Sequence, residues 1–166
     1  MMVVSLETAA DGVALLAVGL LLHIAWHDFW HLKIRNTSVL VLLGLYGLWA
    51  LLGGFQSLTG DLGTGLILFL IGLVMWRARM MGGGDVKLYF ALGLFMGIAK
   101  VGLFAIALLA ATLLFLAALT VAARVKYGGV ILCRLREIQD SGKAPYAVPL
   151  CLAAVPVILL RIFVGG

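Results

Sequence analysis

The stretch "MMGGGDVKLYFALGLFMG", Met80 to Gly97, decides how many helices this chain forms. Three consecutive glycines do not belong in a helix interior, where each costs about 1 kcal/mol relative to alanine. They mark a bend between two apolar segments and leave room for another chain or water to approach. The uncharged run that follows, residues 88–99, is short for a membrane span, which needs about 20 mostly apolar residues. It reaches a usable length only by extending back to Asp85. That reading places an acid in the first turn of a membrane helix, where the positive dipole end favours its anion. A plain helix cap is the alternative role for Asp85.

Working outward, further uncharged runs fall at 12–27, 36–60, 62–76, 101–123 and 144–160. The chain is 64% hydrophobic and 11% charged, with a mean hydropathy of +1.21, far from the averages of soluble domains. The expected fold is an all-α polytopic membrane protein with about six transmembrane helices. No repeat of 20 to 50 residues and no low-complexity linker divides it, so residues 1–166 read as a single membrane-embedded domain. Residues 1–22 lack a basic n-region and carry Glu7 and Asp11, which marks a first membrane helix rather than a cleaved signal. Glycines throughout the runs suit close helix packing in lipid, and Gly93 and Gly97 form a G-x-x-x-G. The polar segment 124–145 reads as a short surface helix or loop, ended by Gly142 and Pro145.

The formal charge of +5 does not point to nucleic acid, because the basic residues are sorted by loop and show no interleaving with aromatics. Of the 12 Lys and Arg, 10 fall in segments 27–35, 77–87 and 124–143; Lys100 and Arg161 remain for the other side. Positive-inside bias places those segments in the cytoplasm, with both termini, Glu7, Asp11 and Asp61 outside. The expected location is therefore the cytoplasmic (inner) membrane. Cys133 and Cys151 have no metal-like spacing and read as small apolar fillers.

Four acids then lie on the cytoplasmic side. Glu137 and Asp140 sit among Arg and Lys in the polar segment and read as solvated. Asp28 and Asp85 each border an apolar run, where an ionisable group is costly unless paired or functional. Two carboxylates from different helices at one membrane edge are what an aspartic protease requires. One ionised Asp takes a proton from the attacking water while a neutral Asp polarises the scissile carbonyl. Such a pair shares one proton and titrates as a unit. The helix dipoles lead one to expect Asp85, at a helix N-terminus, to be the more readily ionised member and Asp28, at a helix C-terminal end, the more readily protonated one.

These residues resemble the type IV prepilin peptidases, from Asp28 to the final helix. Gly82, Gly84, Asp85, Lys87 and Leu88, with Gly93 and Gly97 downstream, are similar to the G-x-G-D motif of that family. The family's other motif is an Asp followed six residues later by Ile-Pro-Asn; here Asp28 is followed by Ile34, Arg35 and Asn36. Pro145-Tyr146-Ala147 resembles the family's Pro-Tyr-Gly. The resemblance implies a membrane aspartic endopeptidase with Asp28 and Asp85 catalytic and no metal or cofactor. Its partners would be the lipid bilayer and a prepilin, a short basic leader joined to an apolar N-terminal helix, cut at the cytoplasmic face. The surface at Gly82, Gly83 and Gly84 is the expected substrate contact, through backbone pairing. Longer family members carry an extra segment with paired cysteines and also methylate the new amino group. This sequence has no CxxC and resembles the short form found with tight-adherence (Flp) pili. An archaeal relative that processes preflagellins shares the same pair of aspartates.

Two other readings compete. "HDFWH", His27 to His31, is near the H-E-x-x-H of zinc peptidases, with His23, His27 and His31 on one helical stripe. Asp in place of Glu shortens the base, and no downstream ligand motif follows, so interfacial histidines beside Trp26 and Trp30 are the expected role. A small ion- or proton-coupled transporter or a pilus-assembly subunit would also use intramembrane acids. Carriers place those acids near the midplane and show inverted repeats, which this sequence lacks. Lys87 reads by default as snorkelling to the headgroups, with tuning the pair's charge or holding a substrate carboxylate as its alternative role, and Asn36 reads as a cap for the second helix or as a hydrogen-bonding group near the site.

Overall fold

A computed structural model describes residues 2–55, 57–125, 129–142 and 144–163. The order is α1 (Met2–His31), α2 (Asn36–Leu52), α3 (Leu58–Arg77), α4 (Gly83–Arg124), α5 (Val130–Ser141) and α6 (Ala147–Phe163). The chain is an all-α membrane protein. Leu6–His31, α3 and α4 are long and apolar enough to cross a bilayer, and α2 and Ala147–Leu160 are shorter apolar helices. Their outer faces stay apolar: Val74 is 69% exposed, Ile106 68% and Leu114 72%. Side chains of that kind belong against lipid, the solvent for which this surface is built.

α4 is two helices. A straight helix of its 42 residues would be about 63 Å long, yet both its ends lie beside the end of α1. Gly84 packs against Ile34, three residues past α1. Leu119 and Ala122 cluster with Phe29 of α1 and with Leu135 and Ile138 of α5. The chain therefore doubles back, and it does so at Gly97, whose φ of 58° and ψ of 177° are non-helical. That backbone region belongs almost only to glycine. Among the described residues the apolar segments thus number six, as the sequence leads one to expect: α1, α2, α3, residues 83–96, residues 98–124, and α6. α5 is the short polar-segment helix, closed by Gly142 in the left-handed conformation (φ 65°).

The first half of α4 runs antiparallel to α3 with their backbones touching. Gly72 faces Val86, Gly65 faces Phe90 and Leu94, and Gly60 faces Ile98. At the closest point a Cβ on Gly93 would lie 2.6 Å from Gly65 Cα and 2.9 Å from the Thr64 carbonyl. In lipid, where burial of apolar surface drives little helix association, such small-residue contacts supply the packing. The G-x-x-x-G of Gly93 and Gly97 accordingly splits into two jobs, contact at the first position and reversal at the second.

The ends of α1 and α3, both ends of α4 and the start of α5 lie at one end of the bundle, with the basic residues Lys33, Arg35, Arg77, Arg79, Arg134 and Arg136. Lys126 and Lys143 of the same basic segments lie outside the described residues. At the other end stand Asp11 of α1, Trp49 of α2, Asp61 of α3, Phe95 and the last turns of α6, around a cavity of about 330 Å³.

Gly97→Ala should lower stability by about 1–3 kcal/mol through its backbone conformation. Gly93→Leu should separate α3 from α4 and abolish folding. Thermal unfolding of the purified protein in detergent checks both.

Candidate functional site

Asp28 and Asp85 are brought together. Asp28 lies on the last turn of α1 and is 4% exposed; Asp85 lies on the first turn of α4 and is 7% exposed. Asp28 is close enough for its charge to act on Asp85, and both act on the buried Cys151 of α6. Cys151 sits one turn into α6 and packs in the main core, as expected of an apolar filler.

Each carboxylate is met by a backbone N–H at the start of a helix. Gly82 N–H donates to Asp85 Oδ2 at 3.1 Å, and Asp85 N–H donates back to the Gly82 carbonyl at 3.2 Å. This reciprocal pair closes the first turn of α4. Ala147 N–H, the first of α6, donates to Asp28 Oδ2 at 3.2 Å across 119 positions of sequence. The expected asymmetry of helix fields is thereby corrected. Asp28 does end its own helix, but the N-terminus of α6 faces it and supplies the positive dipole end that α1 cannot. The partner was legible only as the Pro145-Tyr146-Ala147 match, which carried no reason for its position. The reason is that this turn aims a helix N-terminus at Asp28.

One atom of the pair stands apart. Asp85 Oδ1 is buried and has no hydrogen-bond partner among the described residues. Buried carboxylate oxygens without a donor are rare and call for an explanation. Unlike Oδ2, this oxygen is free to accept from a group that arrives later.

The glycine triplet is divided among three tasks. Gly82 is extended (φ −76°, ψ 153°) and precedes the helix. Gly83 and Gly82 are exposed at the mouth of the site, and a Cβ on Gly84 would lie 3.1 Å from Ile34 Cβ. Gly84 thus lets the α1–α2 connection close over the start of α4. In that connection Arg35 takes φ −76° and ψ 132°, within the range a proline would adopt. The turn therefore keeps its shape although Arg35 stands where the similar motif has proline. Asn36 is the first residue of α2 rather than its cap, and its Oδ1 accepts from Lys87 Nζ at 3.0 Å. Lys87 is thus tied across the site's rim, where a snorkelling role was expected.

The histidines of "HDFWH" are engaged with backbone. His27 Nδ1–H donates to the Lys33 carbonyl at 3.0 Å, and His31 Nδ1–H to the His27 carbonyl at 3.1 Å, while the two rings stack 4.3 Å apart. Carbonyls only accept, so each Nδ1 carries the proton. Among the described residues no group of three or more His, Cys, Asp and Glu side chains is placed to hold a metal ion.

A third acid is buried at the opposite end. Asp61 is 2% exposed, and its Oδ2 accepts from Tyr46 Oη at 2.9 Å and Ser57 Oγ at 2.8 Å. It ties α2 to the start of α3, far along α3 from the pair.

Fold and site together define a class: a polytopic helical membrane protein that holds two buried acids from different helices at one end. The model of the type IV leader peptidase family matches residues 15–124, from within α1 to the end of α4. The chain belongs to that family, a family of peptidases. No curated protein and no solved structure matches it.

Asp61→Ala should destabilise the protein by about 1–3 kcal/mol, since the Tyr46 hydroxyl loses its buried acceptor; the folded fraction should keep its peptidase activity within twofold. Arg35→Pro should be tolerated and raise stability by about 0.4–1 kcal/mol. Thermal unfolding read beside substrate cleavage tests each.

Proposed function

We propose that this chain is an aspartic-type leader peptidase that removes the basic leader of a type IV prepilin-like protein. The observation that carries the reading is the buried pair of Asp28 and Asp85, on different helices at one end of the bundle, with Asp85 Oδ1 unpartnered among the described residues. Membership of the leader peptidase family supports the peptidase activity and a prepilin-like substrate. The whole chain would act as one membrane-embedded unit.

In the proposed reaction one carboxylate is ionised and the other protonated. The ionised Asp takes a proton from water, and the water oxygen attacks the scissile carbonyl carbon as the protonated Asp donates to the carbonyl oxygen. The first Asp then gives the proton it took from water to the amide nitrogen, the carbonyl re-forms as the second Asp regains its proton, and the C–N bond breaks. The leader leaves with a new carboxylate, and the apolar helix leaves with a protonated amino group. The N–H groups of Gly82 and Ala147 hold Oδ2 of each acid and leave the remaining oxygens to this work. The exposed backbone at Gly82 and Gly83 would pair with the extended segment around the scissile bond.

The basic connections at the same end support a cytoplasmic active site in the inner membrane, with both termini outside, by positive-inside bias. Cutting there separates a basic leader from a helix that remains in lipid. A transporter reading fits less well, because the acids sit at a helix C-terminus and a helix N-terminus at one end rather than at mid-span.

The test is cleavage of a co-expressed prepilin. Asp28→Asn and Asp85→Asn should each lower cleavage at least a thousandfold, while His27→Ala/His31→Ala and a chelator should leave it within a fewfold of wild type. Loss of activity with chelator and the histidine changes, but not with the Asn variants, would establish metal chemistry instead.

A further inference from the structure

The end of α1 is fastened by a side chain from a helix more than 100 residues away. Leu32, with φ 50°, turns the chain out of the helix, and its N–H makes the last turn's bond to the Asp28 carbonyl at 2.8 Å. The next two carbonyls in order, those of Phe29 and Trp30, have no following turn to bond them. Arg134 of α5 takes both: Nε donates to Phe29 O at 3.0 Å and Nη2 to Trp30 O at 2.7 Å. Nη1 pairs with Glu137 Oε2 at 2.9 Å, so all three guanidinium nitrogens are used.

We infer that Arg134 is a positioning residue for Asp28. This rests on the proposed peptidase reading and deepens it. Asp28 immediately precedes the two residues that the fork holds, and the direction of its Cα–Cβ bond follows the backbone of that turn. Without the fork the turn has two unbonded carbonyls beside a chain reversal and is free to fray. The other hold on Asp28, the Ala147 N–H, comes from the segment that leaves the far end of α5. α5 therefore acts as a strap: Arg134 fixes the backbone that carries the carboxylate, and the start of α6 fixes one of its oxygens. Arg136 secures the strap's other side by donating to the Ala122 carbonyl at 2.8 Å and to the Val125 carbonyl. The requirement is for a planar fork that reaches two adjacent carbonyls, which arginine meets and lysine, a single point charge, does not. Glu137 is the lesser member, since its carboxylate is largely exposed and an exposed pair contributes little.

The test is steady-state cleavage of a prepilin by the full chain in lipid nanodiscs, with each variant first checked for folding by thermal unfolding. Arg134→Gln should lower kcat on the order of 30-fold to 100-fold, as expected when a catalytic group is displaced by about 1 Å, with KM unchanged within twofold. Arg134→Lys should recover less than a tenth of the lost rate, and Glu137→Gln should stay within threefold of wild type. In an Asp85→Asn background, which leaves the substrate uncut, adding Arg134→Gln should leave prepilin affinity within twofold. Wild-type kcat in Arg134→Gln, a rise in KM with kcat unchanged, or weakened prepilin binding in the Asp85→Asn background would each overturn the assignment. Should Arg134→Gln fail to fold, Arg134→Lys decides: a fall in kcat at constant KM supports the fork, and wild-type kinetics refute it. Asp28→Asn run in parallel separates the two levels. If it cleaves like wild type, the carboxylate-pair reading itself is wrong; if it is inactive while Arg134→Gln is normal, only the strap is wrong.

Discussion

A carboxylate at the edge of lipid has to be met by donors from the protein, and in this chain the donors are helix starts. Water is scarce there and lipid tails offer nothing, so an unpartnered acid would cost several kcal/mol. The first N–H groups of a helix have no partner within it, so an acid and a helix start solve each other's problem. Asp85 is met by the N–H of Gly82, which opens α4, and Asp28 by the N–H of Ala147, which opens α6. The rest of the bundle is arranged so that α1 ends where two other helices begin.

Gathering those ends requires α4 to reverse. A continuous helix from residue 83 to 124 would carry its far end well beyond the bilayer, and α5 would then have no way back to α1. Gly97 breaks the helix at the opposite end of the bundle, and residues 98–124 return to the end that holds the acids. The first half of α4 can be short because it lies backbone to backbone on α3, with Gly65 against Gly93. Small residues and a single positive-φ glycine thus do for the lipid-embedded part what apolar burial does in a soluble core.

Much of the candidate site was legible in the sequence because the cost of a charge in lipid is large and local. Asp28 and Asp85 stand out at the edges of apolar runs, and "GGGD" marks a helix start whatever surrounds it. The histidines of "HDFWH" show the limit. Their spacing fits a metal-binding stripe, and only the carbonyls of Lys33 and His27, brought near by the local turn, show how their Nδ1 protons are used. Asp61 is a similar case. Its sequence neighbours place it at the outer end, and its burial follows from Tyr46, which reaches it from another helix. Arg134 lay among residues that read as a solvated basic segment, since nothing in "RLREIQDSGK" says that a helix end will be waiting for one of its side chains.

The sequence by itself determined the apolar segments, the helix start at Asp85, the polar segment 124–145 and the two acids at the edges of apolar runs, because each depends on hydrophobicity, helix propensity or a Born cost that acts within a few residues. The tertiary structure decided which N–H answers Asp28, where α4 turns back, and what holds the last turn of α1. Those depend on groups about 30 to 120 positions apart meeting at one end of a bundle. No local pattern encodes such meetings, since they are set by how close two backbones can approach and in which direction a helix end points.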